Sequence, residues 1–228
     1  MRRRSLALLL AAGSLAACSP RRSGTPAAAA TPRAAIADDY RWFAHEPDFS
    51  KGFCFTWVQG LTPQQVLGRL HGKELERITW PQLVGAGDGP VGYPDRYFIG
   101  VTRVDDWTLI VEDNGDLGVN EQLMRPVSKG TTVVAHHRGA DGHGRFLLLR
   151  KGTTELDFDP LNPAKASGSR AAELAPMLAS VGFGADNDPA RPMEAAFALT
   201  ERLTGMTMTQ ELLRTNTYLF TVVPRPRG

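Results

Sequence analysis

The stretch from Tyr97 to Phe158 constrains the fold more than any other part of the sequence, because short apolar runs alternate there with turn residues. Phe146 to Leu149 is apolar on both faces, which is typical of a central strand. The pair Asn114-Gly115 favours a type I′ turn, in which both central residues have positive φ. Together with two apolar runs outside this stretch, the pattern predicts strands at Phe53 to Val58, Tyr97 to Val104, Trp107 to Glu112, Thr131 to His137, Arg145 to Arg150, Glu155 to Phe158 and Tyr218 to Val223.

The segments on either side of these strands have the periodicity of helices. Thr62 has the position of an N-cap, and Gln65 three residues later completes a capping box. We expect this helix to stop at Gly72, and a short helix at Glu121 to Met124 to be ended by Pro126. Further helices are predicted at Leu174 to Val181, Met193 to Leu203 and Thr209 to Leu213.

This order of elements predicts an α+β fold, a single domain with a mainly antiparallel sheet flanked by helices. Of the 228 residues, 42% are hydrophobic and 22% are charged, which is the composition of an ordinary globular protein. It excludes a collagen, a coiled coil, a disulfide-rich miniprotein and a multispanning membrane protein. Since no Pro-, Gly- or Ser-rich linker interrupts the chain after residue 35, we expect one domain over residues 36–228.

Basic residues are concentrated at the beginning of the chain. Residues 1–35 contain six arginines and no acidic residue, which leaves 20 basic against 24 acidic residues in the rest, a net charge of −4. Proteins that bind nucleic acid carry a basic patch or stripe on the folded domain. The acidic balance of the folded part therefore predicts no nucleic-acid partner.

The first 17 residues have the pattern of a lipoprotein signal peptide. Arg2-Arg3-Arg4 precedes an apolar or small run from Leu6 to Ala17, which is too short to span a bilayer but fits a signal peptide. Leu15-Ala16-Ala17-Cys18 resembles the bacterial lipobox, in which lipid is added to the thiol and the chain is cut before the cysteine. We therefore expect Cys18 to be lipidated and to attach the mature chain to a membrane.

Residues 18–35 are rich in Ala, Pro, Ser, Gly and Thr and are predicted to form a flexible tether. The predicted location is the cell membrane, with the protein lipid-anchored on the extracytoplasmic side. There are two alternatives to a lipoprotein signal: an ordinary cleaved signal peptide in which the cysteine occurs by chance, or a cytosolic tail. With Cys18 lipidated, Cys54 is the one thiol left and no intramolecular disulfide can form; its aromatic neighbours predict a buried, unreactive cysteine.

Acidic residues around the second predicted strand of the middle region are the candidate site. Asp105 and Asp106 precede this strand, and Glu112 and Asp113 end it. A hairpin that brought these four carboxylates to one end of the sheet would place acid–base groups together. The alternative is that the aspartates form tight turns.

No established catalytic or cofactor motif supports a more specific chemistry. The sequence has no Gly-x-Ser-x-Gly elbow, phosphate-binding loop, His-Glu-x-x-His, Cys-x-x-Cys pair or EF-hand loop. His136 and His137 are neighbours on a predicted strand and would point to opposite faces, so they cannot share a metal ion without a bulge in the strand. We therefore predict no metal site and no cofactor.

A series of short motifs occurs in order along most of residues 40–223. The motifs are Gly52 to Val58, Gly60 to Pro63, Gly100 to Val104, Trp107 to Leu109, Glu112 to Gly115, Val127 to Thr131, Phe158 to Pro160, Glu201 to Gly205 and Glu211 to Leu213. In this series the predicted domain resembles an uncharacterised bacterial family, domain of unknown function 6461. The resemblance implies one α+β domain and transfers no catalytic residue.

Two functions remain open. The first is a membrane-tethered, non-enzymatic binding module that interacts with a partner such as an envelope protein. The alternative is a carboxylate-dependent hydrolase of the cell envelope. A concave pocket in which Asp105, Asp106, Glu112 or Asp113 meets a histidine would favour the hydrolase, and its absence would favour the binding module.

Overall fold

The structure, a computed structural model, describes residues 33–85, 95–184 and 191–227. Within these residues the strands form a single antiparallel sheet of eight strands. The order across the sheet is β2-β8-β3-β4-β1-β5-β6-β7. The predicted α+β fold with a mainly antiparallel sheet is confirmed. The strands are β1 (Phe53–Gln59), β2 (Lys73–Ile78), β3 (Arg96–Val104), β4 (Trp107–Glu112), β5 (Thr132–Arg138), β6 (Gly144–Arg150), β7 (Thr153–Phe158) and β8 (Tyr218–Pro224).

Helices cover both faces of the sheet. Over the same described residues the α-helices are α1 (Pro63–Leu70), α2 (Trp80–Gly85), α3 (Glu121–Val127), α4 (Ala171–Leu178), α5 (Pro192–Thr204) and α6 (Gln210–Thr215). Short 3-10 helices lie at Ala37–His45, Pro47–Phe49, Leu117–Val119 and Pro163–Lys165, and a π-helical turn at Ala179–Phe183 follows α4.

Alternating side chains of the strands divide the hydrophobic core into two layers. In β6, Phe146 and Leu148 lie on the face that packs against α5, which we call the first face. Leu147 and Leu149 lie on the second face, with the buried side chains of α1 and α3. This division follows from the two-residue period of a strand. As predicted, β6 is buried on both faces, but it is seventh of the eight strands and lies next to the edge strand β7, not at the centre of the sheet.

The long 3-10 helix at Ala37–His45 is fixed to α5 on the first face. The ring centroids of Phe43 and Phe197 lie 4.5 Å apart, and Tyr40 stacks on Phe197 at 5.6 Å. The Tyr40 hydroxyl also donates to Glu201 Oε2 at 2.5 Å. Because Phe197 belongs to α5, these contacts hold the beginning of the domain against the C-terminal third of the chain.

Two helix ends differ from the sequence-based expectation. The left-handed residue after α1 is His71, with φ 53°, and not Gly72. Gly72 is required for space, since a Cβ there would lie 2.9 Å from the Thr221 methyl group. Pro126 lies inside the last turn of α3, which runs on to Val127. Within that turn a proline removes one N–H donor without ending the helix.

The folded unit begins at Ala34, and Ala35 is already buried, close to residue 36, where the sequence predicts the start of the domain. The predicted signal peptide, including the Arg-rich start, and residues 18–32 of the predicted tether lie outside the described residues. Among the described residues, no helix is both long enough and apolar enough to cross a membrane.

Removing a large buried side chain from β6 tests the core. Leu148 is 1% exposed on β6, and Leu148→Ala is expected to lower the free energy of unfolding by about 2–5 kcal/mol through the lost burial and the cavity left behind. Leu75→Ala is the matched control, because Leu75 is 47% exposed on β2. Denaturant titrations that show the same stability for both variants would contradict this core assignment.

Candidate functional site

The structure does not bring the four predicted acidic residues together. Asp105 and Asp106 form the turn between β3 and β4, whereas Glu112 and Asp113 lie at the other end of β4. At the usual rise of a strand the two pairs are about 20 Å apart. The turn is closed by Arg103, which donates to the Asp105 carbonyl and, at 3.2 Å, to Asp106 Oδ1.

Glu112 is buried on the second face, with 1% of the residue exposed. Its carboxyl group accepts hydrogen bonds from the backbone N–H of Leu117 at 3.2 Å and of Gly118 at 3.4 Å. Burial raises the pKa of Glu112 to about 8. The carboxyl group is therefore mostly protonated at neutral pH and is held as a neutral acid.

Two glycines allow close packing around this buried acid, Gly115 against Glu112 itself and Gly118 against the neighbouring strand β1. A Cβ at Gly115 would lie 2.0 Å from Glu112 Oε1, and one at Gly118 would lie 1.8 Å from Thr56 Oγ1. The expected type I′ turn at Asn114-Gly115 does not form, since only Asn114 of the pair has positive φ, 73°. The chain there continues into the 3-10 helix that covers Glu112, so Gly115 serves close packing and not a hairpin.

Glu112, Cys54 and His137 lie opposite one another in β4, β1 and β5, and form a polar row on the second face. Burial and the neighbouring Glu112 raise the pKa of the Cys54 thiol, which is completely buried as predicted. Burial lowers the pKa of His137. All three groups are thus held in their neutral forms, whereas a cysteine nucleophile requires an accessible thiolate.

His136 points to the first face, opposite to His137, as the alternation of the strand predicts. It is fully buried with its ring 5.0 Å from that of Phe53 and 4.8 Å from that of Phe197. Neither ring nitrogen has a hydrogen-bond partner in the described part of the chain. Burial lowers the pKa of His136 to about 3, so the ring is neutral.

A cleft of about 580 Å³ opens beside α5, next to the aromatic cluster on the first face. This volume is in the range of small-molecule sites. We call it the α5 cleft. It is formed by the end of the long 3-10 helix, the following 3-10 helix, the end of β5 and the start of α5, and its lining consists of Phe43, Ala44, His45, Glu46, Pro47, Phe49, Ser50, Arg138, Met193 and Glu194.

Two oppositely charged side chains of the α5 cleft are incompletely paired. Glu194 is 5% exposed, and none of the described residues forms a hydrogen bond or ion pair with its carboxylate. Arg138 donates from Nη2 to the carbonyls of Phe49 at 3.1 Å and Ser50 at 3.0 Å, but its Nε has no partner within the described ranges. The cleft therefore offers a negative and a positive group at once.

The second acid of the cleft, Glu46, is already neutralised. Its side chain is 1% exposed and accepts hydrogen bonds from Arg214 Nη2 at 2.8 Å and Gln210 Nε2 at 3.1 Å. Both partners belong to α6. Glu46 thus fixes one wall of the cleft against α6, and its charge is not available to a ligand.

The arrangement suits binding better than metal chemistry. Among residues 33–85, 95–184 and 191–227, no group of three His, Cys, Asp or Glu side chains could hold a metal ion. The cleft instead combines an apolar lining with a few fixed polar groups, which is the usual construction of a small-molecule site. None of its charged residues was a candidate in the sequence.

Comparison with known protein families gives a match over almost the whole folded unit, residues 33–227. The chain belongs to the family of unknown function DUF6461. The resemblance inferred from the sequence motifs is thereby confirmed for the domain, and the predicted signal peptide precedes the match. No curated protein and no solved structure is significantly similar to the chain.

The buried carboxyl group of Glu112 predicts a pH dependence of stability. Its pKa is about 8 in the folded state against 4.5 ordinarily, so the folded chain retains a proton that the unfolded chain has lost. Stability from this group is complete below pH 4.5 and is lost as the pH rises towards 8, by about 1.4 kcal/mol per unit. His136 and His137, with lowered pKa values, oppose this trend below pH 6.5.

The test therefore uses the window from pH 6.5 to 8. This window lies below the pH at which a cysteine thiol ordinarily ionises, so Cys54 does not contribute to the change in stability. Denaturant titrations of the wild type should show falling stability there, and Glu112→Gln should remove most of this fall. Glu74→Gln, on the exposed strand β2, is the control and should keep the wild-type profile. Parallel profiles for the wild type and Glu112→Gln would show that Glu112 is ionised in the folded protein.

Proposed function

We propose that the chain is a membrane-tethered bacterial lipoprotein whose extracytoplasmic domain is a non-enzymatic binding module, with the α5 cleft as its ligand site. The observation that supports this is the pair Glu194 and Arg138, which line one cleft of suitable size without a complete set of partners. Buried polar groups are normally paired, and those that are not require an explanation. A ligand that binds both groups provides one.

The hydrolase alternative loses its main support. It required that carboxylates of the strand-rich middle meet a histidine in a concave pocket. Asp105 and Asp106 are separated from Glu112 by the length of β4, and Glu112 lies beneath the 3-10 helix at Leu117–Val119. None of these three residues lines the α5 cleft. A binding role for the cleft needs no such pair of carboxylates.

Attachment to the membrane is supported by the sequence around Cys18. Lipid on this thiol would contribute about 0.8 kcal/mol per buried methylene, and two or more acyl chains give stable attachment. Between Cys18 and the start of the folded unit at Ala34, an extended chain spans at most about 55 Å.

Replacing the proposed lipidated cysteine tests the anchor. In cells fed an alkyne-labelled fatty acid, the wild type should be labelled, and Cys18→Ala should lose the label and give an uncleaved or a soluble product. Cys54→Ala is the matched control and should be labelled normally, because that thiol is buried in the fold. Labelling of Cys18→Ala at the wild-type level would rule out the proposed anchor.

Filling the α5 cleft tests the binding site. Ala44 is exposed in the cleft, and Ala44→Trp should abolish the rise in Tm caused by any compound that binds there. Ala172→Trp makes the same change on α4, in a separate groove, and is the control. The measurement is a thermal-shift screen of small molecules with the full chain, followed by mass spectrometry of each compound that binds.

Compounds that stabilise the wild type and Ala172→Trp but not Ala44→Trp, and that are recovered unchanged, would support the proposal. Conversion of such a compound by the wild type and not by Ala44→Trp would instead make the domain an enzyme. A screen in which Ala44→Trp responds like the wild type would remove the cleft as the binding site.

A further inference from the structure

We propose that the ligand of the α5 cleft is a small zwitterion, whose ammonium group binds Glu194 and whose carboxylate binds Arg138, with apolar groups between them. This inference rests on the proposed binding function and adds the chemical class of the ligand. It follows from the sign, the burial and the pairing of the two charged side chains, and from the apolar residues of the lining.

Glu194 provides the negative end of the site. It lies in the first turn of α5, is 5% exposed, and has no cation within ion-pair distance among the described residues. A helix N-terminus favours a negative charge, but it does not supply a cation as a partner for this carboxylate. A ligand ammonium group beside Glu194 restores a partner for this charge.

Arg138 provides the positive end. Its Nη2 is held by the carbonyl groups of Phe49 and Ser50, so the guanidinium group is fixed in orientation before any ligand arrives. Its Nε has no hydrogen-bond partner in the part of the chain that the structure describes. A guanidinium group binds carboxylates in a directional manner, and prior orientation lowers the entropy that binding costs.

The two charges do not neutralise each other. Both side chains line the same cleft, yet Glu194 and Arg138 do not form an ion pair within 4.0 Å. A ligand with one charge would leave the opposite group of the cleft without a charged partner. A ligand with both charges satisfies Glu194 and Arg138 together, which selects a zwitterion over an anion or a cation.

The lining adds an apolar requirement. Phe43 and Phe49 are buried, and together with Met193 they give the cleft an aromatic and aliphatic surface. Such a surface binds hydrocarbon groups through the hydrophobic effect. Amino acids and short peptides with apolar side chains carry all three features, and the volume of about 580 Å³ accommodates a dipeptide.

Calorimetric titration with a dipeptide and its blocked forms tests the proposal. The probes are leucyl-phenylalanine, its N-acetylated form, which lacks the ammonium group, and its C-terminal amide, which lacks the carboxylate. The free dipeptide should bind the full chain at least about tenfold more tightly than either blocked form, since each loses one charged hydrogen bond. Equal affinity for all three probes would overturn the proposal.

Charge-removing variants separate recognition from structural support. Glu194→Gln should bind the dipeptide and its acetylated form equally, while it keeps its preference over the amide. Arg138→Gln should show the opposite pattern. Glu211→Gln and Arg77→Gln, at exposed positions on α6 and β2, are the controls and should behave like the wild type. Weakening of all probes by the same factor in Glu194→Gln would contradict a direct contact with the ammonium group.

Failure of this inference can be distinguished from failure of the binding function. If the dipeptide does not bind but other compounds stabilise the chain in a manner that Ala44→Trp abolishes, the zwitterion is wrong and the cleft remains the site. If no compound binds in the cleft, both proposals fail. Should Arg138→Gln not fold, because its side chain supports Phe49 and Ser50, Glu194→Gln and the two blocked probes still decide.

Discussion

The packing of the long 3-10 helix at Ala37–His45 on α5 is the interaction on which the α5 cleft depends. Phe43 contacts Phe197 of α5 and Phe53 of β1, with ring centroids 4.5 and 5.0 Å apart. The same phenylalanine forms part of the lining of the cleft. Aromatic pairs of this kind contribute about 0.5–1.5 kcal/mol each beyond the area they bury. One wall of the cleft thus comes from the first helical segment of the folded unit, and another comes from α5 in the C-terminal third of the chain.

The ends of β1, β4 and β5 serve different purposes on the two faces of the sheet. On the first face, Arg138 at the end of β5 enters the α5 cleft with its charge incompletely paired. On the second face, Glu112, Cys54 and His137 form a closed row in which burial favours the neutral forms. Neighbouring residues of one strand alternate between these environments, so a polar strand end can be structural on one face and available for binding on the other.

Local patterns were sufficient to predict most of the fold. The capping box of Thr62 and Gln65 was visible in the sequence, and each group forms the expected hydrogen bond at the start of α1. Strand β2 was missed because Lys73–Ile78 is charged and has one buried residue, Ile78. It is a strand because it pairs with β8 at the edge of the sheet, and charges on an edge strand discourage pairing with other chains.

The cleft could not be predicted from local patterns. Glu194 lies in a helix start where acidic residues are common, and Arg138 ends a hairpin strand. The two residues are separated by 55 others, so tertiary packing alone places them on the same cleft. The four acidic residues predicted as a site do not come together, because the two pairs lie at opposite ends of β4. Nothing in the sequence near Glu112 marked it as buried except the two glycines that follow it.

The Nε–H signal of Arg138 in the NMR spectrum of the full chain tests the central claim most directly, because it reports on a charged group of the cleft that has no acceptor in the free protein. The account predicts that this signal shifts and becomes protected from exchange when leucyl-phenylalanine is added, and that Glu194→Gln reduces the affinity of this response. An Arg138 signal that is unchanged by saturating ligand, while the ligand binds elsewhere on the chain, would contradict it.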